Sequence, residues 1–246
     1  MKSILCFETA EECEKHAALI KRLMERLGEY EEVLRSSYQL EETPKAVMWT
    51  STELATTVFS SIPIPAFTSE EFIYLSPELD QWRGLTLRQL DGIELPAIQA
   101  YYEGFGEDHL FEILAHELTH HIELFVDDFD DDREDSIWFE EGMCFYLPRL
   151  FLGEAYFNDI TAVEQALMEA FQEQYGSHAL DDFGAGAYEG SIPSIMFDYW
   201  RSYLKVKDVV DFHHGDVQKV FRLYHEWHES RNVQLSTYFD DISTTV

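Results

Sequence analysis

The pentapeptide His116-Glu117-Leu118-Thr119-His120 stands in a run from Asp108 to Phe125 that contains neither Gly nor Pro. Apolar residues recur at positions 110, 111, 113, 114, 118, 122 and 125, close to helical spacing. The pattern predicts one helix of roughly four or five turns across the whole run. His116 and His120 then stand at i and i+4, one turn apart on the same face. Two imidazoles so placed reach one zinc ion at roughly 2.0–2.1 Å. Glu117 is rotated about 100° from His116, so it misses the metal and touches a water held on it. A carboxylate there takes a proton from the zinc-bound water and later returns it to a leaving amine. HExxH is a short pattern, and a chain with 10 His and 48 acidic residues can carry it by chance. Its place on a predicted helix, with an acidic candidate downstream, argues for chemistry.

Two histidines leave a tetrahedral catalytic site one protein ligand short. Trp138-Phe139-Glu140-Glu141-Gly142 offers a carboxylate from a second helix. Adjacent helical residues point about 100° apart, so only one of Glu140 and Glu141 can face a metal. Together HELTH and WFEEG resemble the gluzincin metallopeptidases, especially their small single-domain members, over residues 108–147. In that family the Glu directly before the Gly of W-x-x-E-G is the third zinc ligand. The resemblance therefore implies Glu141 beside His116 and His120, with Glu140 as its rival. It implies one zinc per chain, Glu117 as general base, and a peptide or protein substrate. A metzincin would carry a third His where this chain has Val126, with a Gly between, and neither is present.

Attack on a peptide carbonyl develops an oxyanion, which needs a hydrogen-bond donor. Gluzincins generally supply it as a Tyr or His from the C-terminal helical part. The best match is Tyr188, in Ala187-Tyr188-Glu189-Gly190, and Tyr199, Tyr203, His178 and His225 compete with it. Zinc-bound histidines also need acceptors that fix their tautomers, and Glu123 is a candidate on the same helix face. His213-His214 and His225-x-x-His228 have ligand-like spacing but no evident third partner, and they read as surface residues.

The formal charge of −31 would repel nucleic acid and an anionic membrane alike. It favours a basic substrate, although a well-solvated acidic surface accounts for it too. No apolar run reaches the 18 residues of a membrane span, and Ile4 to Phe7 is too short for a secretory h-region. The three cysteines, Cys6, Cys13 and Cys144, form no pairing pattern and read as free thiols in a reducing, cytoplasmic setting. Cys144 lies three residues past Glu141 and reads as a small buried apolar residue.

Along the chain, Thr9 and Glu12 form a capping box for a long helix over 9–36, with Gly28 a possible internal stop. Ala46–Thr50, Thr56–Ser60 and Phe72–Leu75 are short β-branched or aromatic runs between prolines and predict a small sheet. The middle run is ambiguous, because Ser51 and Glu53-Leu54-Ala55 can open a helix instead. Phe72–Leu75 is the candidate edge strand for a peptide substrate. Helical stretches follow around 85–90 and 95–102.

Residues 127–135 hold seven acids without EF-hand spacing and read as a connecting loop rather than a cation site. The second ligand helix should run from Ser136 to Leu147 and stop near Pro148. Thr161 and Glu164 form a capping box that should open a helix ending at Gly176, and 177–187 reads as a loop. Helices over 191–204 and 216–229 and a polar tail complete the chain.

The predicted fold is α+β and zincin-like: one catalytic domain over 1–246, with a sheet-bearing lobe at 1–126, a helical lobe at 127–246 and the site in the cleft between. A zinc-binding regulatory or interaction module that no longer cleaves peptides is the alternative reading.

Overall fold

The computed structural model describes residues 1–127 and 136–244. Most of the expected acidic loop, Asp128 to Asp135, lies outside the described residues. The fold is α+β, with four strands and ten α-helices among the described residues. The chain divides into two compact units. Met1–Glu123 with Leu147–Leu152 form the first, and Leu124–Tyr146 with Gly153–Val246 the second. None of the described helices is long and apolar enough to cross a membrane.

The first unit is built on a β–α–β start. Strand β1 (Lys2–Cys6) leads into α1 (Ala10–Ser37), which returns the chain to β2 (Ala46–Thr50). β1 pairs parallel to β2, the arrangement that a crossover helix permits. Thr9 caps α1 as expected, accepting from the Glu12 amide. Helix α1 runs straight through Gly28, because Leu23, Leu27, Tyr30 and Leu34 bury a continuous stripe. Each such leucine contributes about 1.5–3 kcal/mol of burial, more than the ~1 kcal/mol cost of a helical glycine.

The ambiguous run at 51–60 takes its helical alternative. Ser51 caps a single turn, α2 (Thr52–Leu54), and a wider π-type turn follows over Ala55–Phe59. Strands β3 (Ala66–Thr68) and β4 (Phe72–Leu75) complete a sheet of order β1-β2-β4-β3. β4 is therefore not an edge. It pairs parallel to β2 on one side and antiparallel to β3 on the other, so its backbone groups are spent. β3 is the edge strand on that side.

Helices α3 (Leu79–Arg88) and α4 (Pro96–Glu103) lead to α5 (Glu107–Thr119), which packs on α1, β3 and β4. Arg22 and Arg26 of α1 pair with Glu107 and Asp108 in the first turn of α5. Helix α6 (Trp138–Leu152) contributes to both units. It does not stop at Pro148. Its buried residues Met143, Tyr146 and Leu147, and the buried Arg149 beyond, hold the helical path past the missing N–H.

The second unit is helical. α7 (Glu154–Tyr175) begins directly after Gly153, whose φ of 99° turns the chain, and not at Thr161. Thr161 sits inside the helix and gives its hydroxyl to the Phe157 carbonyl, so the expected capping box is absent. The helix does end at Gly176. Short 3₁₀ turns fill 180–182 and 185–189. α8 (Ile192–Phe212) and α9 (Val217–Ser230) follow, capped by Ser191 and Asp216. The expected polar tail is instead α10 (Leu235–Thr244), pinned by the buried Leu235 and Phe239.

Candidate metal centre

His116 and His120 stand one turn apart at the end of α5, and helical geometry alone sets them side by side. Their Nε2 atoms are 3.1 Å apart. Two ligands of one tetrahedral zinc at about 2.05 Å are separated by ~3.3 Å, so this spacing fits a shared ion. Glu117 follows His116 and is buried with it.

The helix stops sooner than expected. α5 ends at Thr119 with His120 as its cap, and residues 121–125 leave the helical path. Tertiary contacts override propensity there. The Thr119 hydroxyl donates to the Ala115 carbonyl at 2.7 Å and therefore accepts from the Tyr30 hydroxyl at 2.8 Å. The His121 Nε2 lies 2.7 Å from Thr68 Oγ1 on edge strand β3, and the Glu123 amide bonds the Gln39 carbonyl. Burial, then the neighbouring His120, pushes the His121 imidazole down to about 3, so it stays neutral. Glu123 is consequently exposed and off the helix. It is not the histidine acceptor that the sequence suggested.

Glu141 is held at the start of α6. Just before the helix, the Ser136 and Ile137 amides donate to the Asp181 and Phe183 carbonyls. The Trp138 indole donates to Asp181 Oδ1, a buried carboxylate that also takes the Ser236 amide and hydroxyl. Gly142 answers to packing. A Cβ there would stand 2.5 Å from the Ser202 carbonyl oxygen and from Val206, so only glycine lets α6 approach α8 this closely. The Trp and Gly of the W-x-x-E-G pattern thus have physical work apart from metal binding.

At the far end of α6, Arg149 forms a buried ion pair with Glu112 of α5, Nε to Oε1 at 2.8 Å. Glu112 is one turn before His116. Eight residues onward from Glu112 is His120, and eight residues back from Arg149 is Glu141.

His116, His120 and Glu141 offer ligand atoms that all lie within 4.8 Å of one another. They are the only such group of three His, Cys, Asp or Glu side chains among the described residues. Two imidazoles and one carboxylate are the donor set of a catalytic zinc site, so the residues fit the ion. Glu141 belongs to the group and Glu140, partly exposed beside it, does not. His116 and Glu141 are buried, and His120 is half-buried.

Tyr188 reaches this group. Its hydroxyl donates to Glu141 Oε1 at 3.1 Å and lies 2.8 Å from the Tyr199 hydroxyl. Of the other candidates, Tyr199 thus stands behind Tyr188, and the remaining three have partners elsewhere. Tyr203 meets Thr161, His178 meets Asp198 and Arg201, and His225 donates to the Leu124 carbonyl. His228 lies 3.4 Å from Asp127. Cys144 is fully buried in α6. Sequence reasoning missed Arg149, Asp181 and the Tyr199 contact. Their signals are single residues distant in the chain, with no periodicity to betray them.

No family model, no curated protein and no solved structure matches this chain.

Proposed function

We propose that the chain is a zinc-dependent peptidase of zincin-like fold, hydrolysing peptide bonds with His116, His120 and Glu141 as the residues that hold the metal. One observation carries the reading: these three side chains, from two separate stretches of sequence, offer ligand atoms within 4.8 Å of one another. The HELTH motif adds the acid–base group that a purely structural site has no use for.

The chemistry supplied by a bound zinc is polarisation of the substrate carbonyl and a lowered pKa for water. Glu117, buried beside His116, takes the proton of the attacking water on its carboxylate. It then delivers that proton to the amine that leaves. Tyr188, whose hydroxyl stands at Glu141, is the nearest phenol to offer a hydrogen bond to the oxygen on which negative charge develops. With 48 acidic against 17 basic side chains, the surface favours a basic peptide over an acidic one.

Elemental analysis of protein purified without added metal tests the metal half. About one zinc per chain is expected for wild type and Glu140→Ala, with loss in Glu141→Ala. A mixed-peptide digest then tests the chemistry. Cleavage by zinc-loaded wild type, abolished in Glu117→Gln at unchanged zinc content, is the expected result. Zinc without cleavage of any peptide would favour a binding module instead.

A further inference from the structure

We infer that Tyr199 and Tyr188 form a two-hydroxyl relay that orients the Glu141 carboxylate for metal binding, which makes Tyr199 a positioning residue of the site. The inference rests on the zinc reading above and adds to it a residue that does not itself approach a metal.

The proton directions follow from donor counting. A carboxylate only accepts, and a phenol has one proton to give. The Tyr188 hydroxyl spends its proton on Glu141 Oε1. The 2.8 Å contact between the two phenols is therefore donated by Tyr199. Both protons point toward Glu141, and hydrogen bonds aligned in this way strengthen one another. One carboxylate oxygen is thereby steadied by Tyr188, which leaves the other to serve as a ligand atom.

The surroundings explain why two tyrosines are needed. Tyr188 comes from the 3₁₀ turn Ala185–Glu189, whose other residues are largely exposed. That turn cannot by itself fix a hydroxyl. Tyr199 is on α8, and its ring is set edge-on against Phe145 at 5.6 Å and Phe183 at 5.4 Å. Phe145 lies one turn past Glu141 on α6, and the Phe183 carbonyl receives the Ile137 amide just before that helix. The elements that hold the Tyr199 ring are thus the ones that hold Glu141. Tyr199 ties the exposed turn to those elements through one hydrogen bond.

The test is a zinc titration of the full chain against a chromophoric chelator. It uses wild type, Tyr188→Phe, Tyr199→Phe and the double variant, with circular dichroism and thermal unfolding of each. Tyr188→Phe should weaken zinc binding about tenfold or more, the usual loss for a group that orients a ligand. Tyr199→Phe should weaken it about fivefold, as for one neutral hydrogen bond.

The deciding readout is the background dependence. Tyr199→Phe should add nothing once Tyr188 is already Phe, because it acts through that hydroxyl. An equal loss in both backgrounds would mean general loosening and would overturn the relay. Wild type that binds zinc, with both single variants unchanged, overturns the relay and leaves the zinc reading standing. Wild type that binds no zinc overturns both. If Tyr199→Phe does not fold, unchanged affinity in Tyr188→Phe alone is enough to overturn the relay.

Discussion

The last turn of α5 and the first turn of α6 each present candidate ligands, and they are held in different ways. At the end of α5 the His116–His120 spacing is a property of the helix itself, and tertiary contacts serve only to stop it. At the start of α6, Glu141 is held by groups distant in the chain. It depends on the Asp181 carboxylate, on a carbonyl of α8 packed against Gly142, and on a tyrosine 47 residues away. Loss of a distant contact should therefore damage the Glu141 side while sparing the histidine pair.

The largest effect is expected at the buried Arg149–Glu112 ion pair. Arg149→Met removes one partner of that pair, a change that costs about 3–5 kcal/mol. Urea denaturation should show that loss, and Glu112→Leu in the same chain should restore much of it. Gly142→Ala comes next. Its methyl meets a backbone oxygen, which cannot swing aside as a side chain can, and overpacking of this kind costs ~1–3 kcal/mol. Because the strain falls beside Glu141, zinc affinity should drop with stability, whereas Glu140→Ala leaves both near wild type. A Gly142→Ala protein of unchanged melting temperature and zinc affinity would contradict the close α6–α8 packing.

On the histidine side, Thr119→Val removes the group that receives the Tyr30 hydroxyl. Loss of that buried hydrogen bond costs about 0.5–1.5 kcal/mol, which chemical denaturation can read. Zinc affinity should fall less than in Gly142→Ala, since the i, i+4 spacing survives.

The smallest effect should appear as a pH slope. The His109 Nδ1 accepts the Gly106 amide at the start of α5. Burial, the largest influence, lowers its pKa from the usual value of 6.5, and Glu112 and Asp108 pull the other way. With the folded pKa depressed, the native state binds fewer protons. The contribution is complete above ~6.5 and declines as pH falls toward the folded value. Melting temperatures between pH 8 and 5 should fall less steeply in His109→Gln than in wild type.

Much of this was legible in the chain. The Thr9 cap, the strand runs 46–50 and 72–75, and the starts of α8 and α9 near 191 and 216 are each written in neighbouring residues. Strand β1 was not, because its five residues show no alternation and its pairing is to a strand 44 residues on. Helix α10 left a weak signal in Leu235 and Phe239, one turn apart, which polar neighbours obscured. The Thr161 capping box was a true local motif that lost to the longer helix around it. Asp181 and Arg149 carry no pattern at all. Each meets a partner 37 residues or more distant.

The amino-acid sequence by itself determined the pairing of His116 with His120 and the placing of Glu117 beside them, because a helix repeats every 3.6 residues whatever surrounds it. It also determined that one of two adjacent glutamates could join them. The W-x-x-E-G resemblance already favoured Glu141, and the structure agrees with it in that Glu141 groups with His116 and His120. Tertiary structure alone decided that α5 ends at Thr119 and that the Tyr188 hydroxyl donates to the Glu141 carboxylate. Those outcomes depend on which distant groups meet, and close packing with hydrogen-bond satisfaction is settled only when the whole chain has folded.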